Sequence, residues 1–117
     1  MDYKNKLVDF WGYIPTFHDD NITDLYLENK TLTITIKSKT NKVLHPKEIY
    51  TKYAYVATTI KYADALITNI EIVANNMIIN KLSYEKNICI IDGVLGSLQF
   101  TFSKIIDISI ETKPLSN

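Results

Sequence analysis

The sequence predicts a mainly β domain: seven to eight mostly antiparallel strands in a curved sheet or sandwich, with a short N-terminal helix. Three observations carry this. Apolar residues recur at every second position over most of the chain. The alternating runs are separated by short links. Helical spacing opens the chain, and the period switches to two after His18. At 117 residues the chain has the length of one domain, spanning 1–117, with room for one core.

The opening segment reads as the helix. Asp2 is placed to cap it, and Leu7, Phe10 and Trp11 fall three and four apart on one face. Gly12 can end it in a left-handed conformation, and Pro15 pushes Ile14 into an extended one. After His18 the period becomes two. Leu25 and Leu27 alternate with Asp24, Tyr26 and Glu28, and Leu32, Ile34 and Ile36 alternate with threonine. Asn29-Lys30 between these runs predicts a two-residue hairpin, since Asn tolerates positive φ. Asp24 and Glu28 are expected on one strand face with Ile22 and Tyr26.

Residues 38–52 break the alternation, and Pro46 keeps them out of a central strand. They read as a long loop or as containing a short helix near 46–50. The run from Tyr53 to Tyr62 places Ala54, Val56, Thr58 and Ile60 inward, with Tyr53, Tyr55, Thr59 and Lys61 on the other face. A tight turn at Ala63-Asp64-Ala65 leads to "LITNIEIV", with Leu66, Ile70 and Ile72 inward. Residues 74–86 fit helix or strand. Three further strands are expected, facing inward Ile88 and Ile90, then Leu98, Phe100 and Phe102, then Ile106, Ile108 and Ile110. Asp92-Gly93 starts the turn between the first two. The strands are expected in sequential hairpins, and "TKPLSN" is expected as a frayed tail.

Composition narrows function. The 13 basic residues, all Lys, balance 13 acidic ones, so the formal net charge is zero. That removes the usual electrostatic argument for nucleic acid or an anionic membrane. The single cysteine, Cys89, excludes an intramolecular disulfide, and its apolar neighbours suggest a structural role. No apolar run approaches the roughly 18 residues of a membrane span. With no signal-peptide pattern at the N-terminus, the expected compartment is the cytoplasm.

Chemistry-bearing residues concentrate in "FWGYIPTFHDD". His18-Asp19 could act as an acid–base pair, but only if a turn brought the two side chains together. No Ser, Thr or Cys stands in a recognisable nucleophile motif. The alternative is structural: His18 bonded to backbone, with Asp19 or Asp20 capping the turn into the first strand. His18, His45, Cys89 and the carboxylates show no metal-ligand spacing, so neither metal nor cofactor is expected. Tyr53, Tyr55 and Lys61 interleave aromatic rings with charge. Such a face could cover the sheet, contact a protein or stack nucleic-acid bases. Asp20 and Asp24 belong to an acidic group that could complement a basic partner.

The ordered residues Trp11, Gly12, Pro15, Phe17, His18 and Asp19, leading into an antiparallel strand, resemble the immunity protein 50 family of bacterial polymorphic toxin systems. Asp20 departs from that pattern, where a small residue such as Ala is expected. The resemblance implies a small cytoplasmic protein that binds a cognate toxin and neutralises it by stoichiometric occlusion, without catalysis. It makes the six motif residues fold-defining and places toxin contact on other exposed surface. The alternative function is a small nucleic-acid-binding β module using the Tyr53, Tyr55 and Lys61 face.

Overall fold

A computed structural model describes residues 3–13, 15–39, 53–72, 77–94 and 96–114. Asp2, Ile14, residues 40–52 and the last three residues lie outside the described residues, and with them most of the segment expected as a loop or short helix. Helix α1 (Tyr3–Trp11) precedes eight strands: β1 (Asn21–Glu28), β2 (Thr31–Lys39), β3 (Tyr53–Ala63), β4 (Leu66–Ile72), β5 (Ile79–Glu85), β6 (Ile88–Gly93), β7 (Gly96–Thr101) and β8 (Lys104–Pro114). They form two antiparallel four-stranded sheets, ordered β1-β2-β3-β8 and β4-β7-β6-β5. One core lies between them. Leu7, Trp11 and Phe17 join Ile34, Ile36, Val56 and Ile60 from the first sheet, and Ile79, Ile91, Leu98 and Phe100 from the second.

Local sequence explains the joints. Gly12, at φ 82°, closes α1 by donating its N–H to the Val8 carbonyl at 2.8 Å. Asn29 and Lys30, at φ 51° and 63°, make the two-residue turn between β1 and β2, matching strand twist.

Hairpins do not run through the whole chain. β3 pairs with β8, and β4 pairs with β7, so the link at Ala63-Asp64-Ala65 is a bend and not a hairpin turn. A two-stranded ribbon thus folds over a corner and passes from one sheet to the other. Asp64, at φ 51°, makes the bend on one strand, and Ser103 pins it from the other. The Ser103 N–H donates to the Ala63 carbonyl at 2.9 Å, and its hydroxyl to Asp64 Oδ2 at 2.8 Å.

Several strands differ from the alternation read in the sequence, each for a local reason. A bulge at Thr23 puts Ile22 opposite Ile36 and Asp24 opposite Thr35. Ile22 is therefore buried while Asp24, Tyr26 and Glu28 face outward. Leu27 faces the core side but lies on an edge strand, 51% exposed. Leu66 and Ile70 are 65% and 50% exposed, and Ile67 packs on the core instead. β4 is an edge strand, and its register slips between Ile67 and Asn69. In β6 the buried residues are Cys89 and Ile91, opposite Phe100 and Leu98, while Ile88 and Ile90 are half-buried on the far face. A run of consecutive apolar residues has no parity of its own, so β7 sets it. In β8 a slip between the Ile105 and Asp107 pairings buries Ile105 and leaves Ile106 43% exposed. That strand continues through Pro114, so part of the expected tail is paired to β3.

Candidate functional site

The motif segment links the two sheets. Phe17 and Asp19 both adopt left-handed φ, 58° and 64°. A bulky residue there is strained by about 1–2 kcal/mol. Burial of the Phe17 ring, only 3% exposed, offsets that cost. The segment then runs along β5 as an added rung. Thr16 O accepts from Leu82 N at 3.1 Å, Asp19 N donates to Ile79 O at 2.7 Å, and Asp20 O accepts from Ile79 N at 2.8 Å. Ile22 N donates to Met77 O at 2.9 Å, and Asn21 bridges Ile78. The outer edge of β5 is thereby occupied, and β1 is stitched to the second sheet.

This turn brings His18 and Asp19 together, with His18 Nε2 3.4 Å from Asp19 Oδ2 and both side chains mostly exposed. His18 Nδ1 donates to the Asn80 carbonyl at 2.6 Å. The ring thus ties the motif to β5. Asp20 is no surface acid. It is 3% exposed and accepts a hydrogen bond from Ser38 Oγ of β2 at 2.7 Å. Its carboxylate offers a partner nothing, contrary to the expectation from its place in the acidic run. Trp11, Pro15 and Phe17 are buried as well.

Cys89 is fully buried, and burial pushes its thiol up to about 12, with a hydrogen bond from Tyr62 pulling slightly the other way. Tyr62, itself raised by burial, shares a 2.7 Å hydrogen bond with the Tyr84 hydroxyl. A nucleophilic cysteine needs thiolate, and this environment opposes it. Among the described residues no group of three His, Cys, Asp or Glu side chains could hold a metal ion. A cleft of about 350 Å³ beside α1 is lined by Lys6, Asp9, Phe10, Ile108 and Ile110. Lys6 spans to Asp107 at 3.5 Å and to the Ile108 carbonyl at 3.1 Å, which fastens the helix to β8.

The outer face of the first sheet gathers most of the remaining candidates. Register lays it out in rows across β1, β2, β3 and β8. One row is Tyr26, Thr33, Lys61 and Asp107; the next is Asp24, Thr35, Thr59 and Ser109. Then come Lys37, Ala57 and Glu111, and finally Lys39, Tyr55 and Lys113. The middle is made of small side chains, with Thr35 and Thr59 hydroxyls 3.0 Å apart. Charge divides along the strands. Lys37, Lys39 and Lys113 lie on the strands flanking Tyr55, with Glu111 in the Lys37 row, while toward the end holding Lys61 stand Asp24 and Glu28 on β1 and, at the opposite edge, Asp107 on β8. The Tyr55 ring is flanked by two ammonium groups, Lys37 at 4.3 Å and Lys113 at 5.8 Å from its centroid.

Tyr53 does not join this face. Its register with β8 slips, Tyr53 facing Pro114 and Tyr55 facing Lys113, so Ala54 is an extra, exposed residue. Tyr53 consequently packs against the core with its ring centroid 6.0 Å from Phe10. Tyr55 and Lys61 do share the face, but six residues of strand separate them by roughly 20 Å. The residues that sequence reasoning missed, Lys37, Lys39 and Lys113, come from strands flanking β3. Only cross-strand register brings them together.

Among the described residues, no helix is long and apolar enough to cross a membrane. No model of a known protein family matches this chain, and none of the curated proteins or solved structures compared with it does either.

Proposed function

We propose that this protein is a cytoplasmic immunity protein that binds a cognate toxin and neutralises it by stoichiometric occlusion. The observation that carries the binding part of the reading is the outer face of the first sheet. It presents Tyr26, Tyr55 and charged side chains among the small side chains of Thr, Ala and Ser. Tyrosine gives large contact area at low entropic cost, and segregated charge gives orientation and fast association. Support for the toxin-directed part comes from the motif Trp11, Gly12, Pro15, Phe17, His18 and Asp19. Occlusion requires no catalytic group, and His18, Asp20 and Cys89 are engaged in packing and hydrogen bonds.

The test is co-expression with the product of the adjacent gene. The reading expects rescue of growth and a one-to-one complex on gel filtration. A neighbouring product that remains lethal, or forms no complex, overturns it. His18→Ala should still rescue if it folds, because His18 serves the fold.

The Lys37, Tyr55 and Lys113 cluster also supports a second reading, a nucleic-acid-binding module. That reading requires binding to single strands that weakens steeply with salt. Absence of binding at low salt dismisses it.

A further inference from the structure

We propose that the Lys37, Lys39, Tyr55 and Lys113 end of the outer sheet face receives an acidic segment of the partner protein. The inference rests on the protein-binding reading and assigns that surface a polarity. Two ammonium groups flank the Tyr55 ring, Lys37 of β2 at 4.3 Å and Lys113 of β8 at 5.8 Å, and Lys39 of β2 pairs with Tyr55 in register. The ion pairs found among the described residues are Lys6–Asp107 and His18–Asp19, so none of these three lysines lies within 4.0 Å of a described carboxylate. Like charges placed this close on neighbouring strands repel, and strand pairs ordinarily match them with acids. An incoming carboxylate relieves that repulsion and gains from several ammonium groups at once. Lysine presents a point charge with rotatable donors, so the site accepts carboxylates in varied orientations.

The same layout disfavours a long polyanion. Glu111 stands in the row beside Lys37, and Asp24, Glu28 and Asp107 occupy the far end of the face. A nucleic-acid strand laid along β3 would meet these acids within about 20 Å. It would also find one ring near the lysines, because Tyr53 packs on Phe10. A protein segment can match both ends, with acids over Tyr55 and bases toward Asp24 and Glu28. The partner surface is therefore bipolar, even though this chain carries no net charge.

A hexaglutamate peptide and an oligothymidylate serve as probes, followed by amide chemical shifts at low and high salt. The expected result is shifts from hexaglutamate centred on Lys37, Tyr55 and Lys113 and reversed by salt. The Lys37→Glu/Lys113→Glu variant should bind about tenfold more weakly or worse. Lys37→Gln/Lys113→Gln, which keeps side-chain bulk, should show a smaller loss and guards against misfolding. Absent shifts, shifts centred elsewhere, unchanged binding in both variants, or tighter binding of oligothymidylate at these residues would each overturn the proposal. Its failure is separable from that of the immunity reading. A toxin neutralised equally by wild type and by Lys37→Glu/Lys113→Glu removes the polarity assignment alone, whereas a toxin that wild type leaves lethal removes the immunity reading.

Discussion

Alkali should unfold this protein progressively, and Cys89 should account for one proton of that sensitivity. The thiol is fully buried, and burial raises it from an ordinary value of 9.0 to about 12. In the folded chain it keeps its proton in a range where the unfolded chain releases it. The native state therefore binds more protons, and stability falls as pH rises. The loss begins near the unfolded value and ends near the folded one. Taking those two values, one thiol removes about 1.4 kcal/mol between roughly pH 8 and 10. Tyr62 is raised for the same reason and adds to the decline at higher pH. Urea unfolding across this range, on wild type and Cys89→Ala, isolates the thiol. Removing the side chain lowers stability at neutral pH because it leaves a cavity, an offset that the thiol's own cost erodes as pH rises. The informative quantity is the slope, which should flatten by about one proton in the variant. Parallel curves for the two proteins would refute the reasoning and return Cys89 to consideration as a titrating, reactive group.

Three further substitutions probe the packing beneath the two sheets. Thr58 is fully buried in β3 and its hydroxyl has no hydrogen-bond partner among the described residues, so Thr58→Val should raise stability by about 1 kcal/mol in urea unfolding. A loss would mean the hydroxyl is satisfied. At Gly93 an added Cβ would lie 2.9 Å from both the Gly96 and Ile78 carbonyl oxygens. Gly93→Ala should therefore cost about 1–3 kcal/mol and lower the melting temperature. Ser38→Ala removes the donor to buried Asp20 and should cost about 1.5–3 kcal/mol, with a cost below half a kcal/mol (~0.5) counting against that bond.

Legibility in the sequence followed the distance over which a feature is determined. The Gly12 cap and the Asn29-Lys30 turn depend on one or two residues and were readable. So was the run through β7 and just past it, where Leu98, Phe100 and Phe102 alternate with polar neighbours and are all buried. Parity failed wherever one extra residue entered a strand. The bulges at Thr23, Ala54, Thr68 and Ile106 each reverse the side chains beyond them, and no residue type at those positions announces it. β6 failed differently: "ICII" is apolar throughout, and its inward face is chosen by Phe100 and Leu98 on the neighbouring strand. The bend at Asp64 looked like a hairpin because both need a residue at positive φ.

The candidate site was harder to read because its parts are assembled across strands. Tyr55 and Lys61 were visible, but Lys37, Lys39 and Lys113 reach Tyr55 through pairings far apart in sequence. A total charge of zero hid a face that is basic at one end and acidic at the other. The motif segment shows the converse. Its residues are adjacent in sequence and chemically suggestive, yet their surroundings turn them to structural use. His18 and Asp19 meet because Phe17 and Asp19 take left-handed turns, and those turns let the segment add a rung to β5. The buried motif side chains, Trp11, Pro15 and Phe17, cannot reach a partner. Changes to the motif should therefore act through folding, whereas changes at Lys37 or Lys113 should act on binding in a folded chain. If both classes proved to lower stability equally, the division between framework and binding face would not hold.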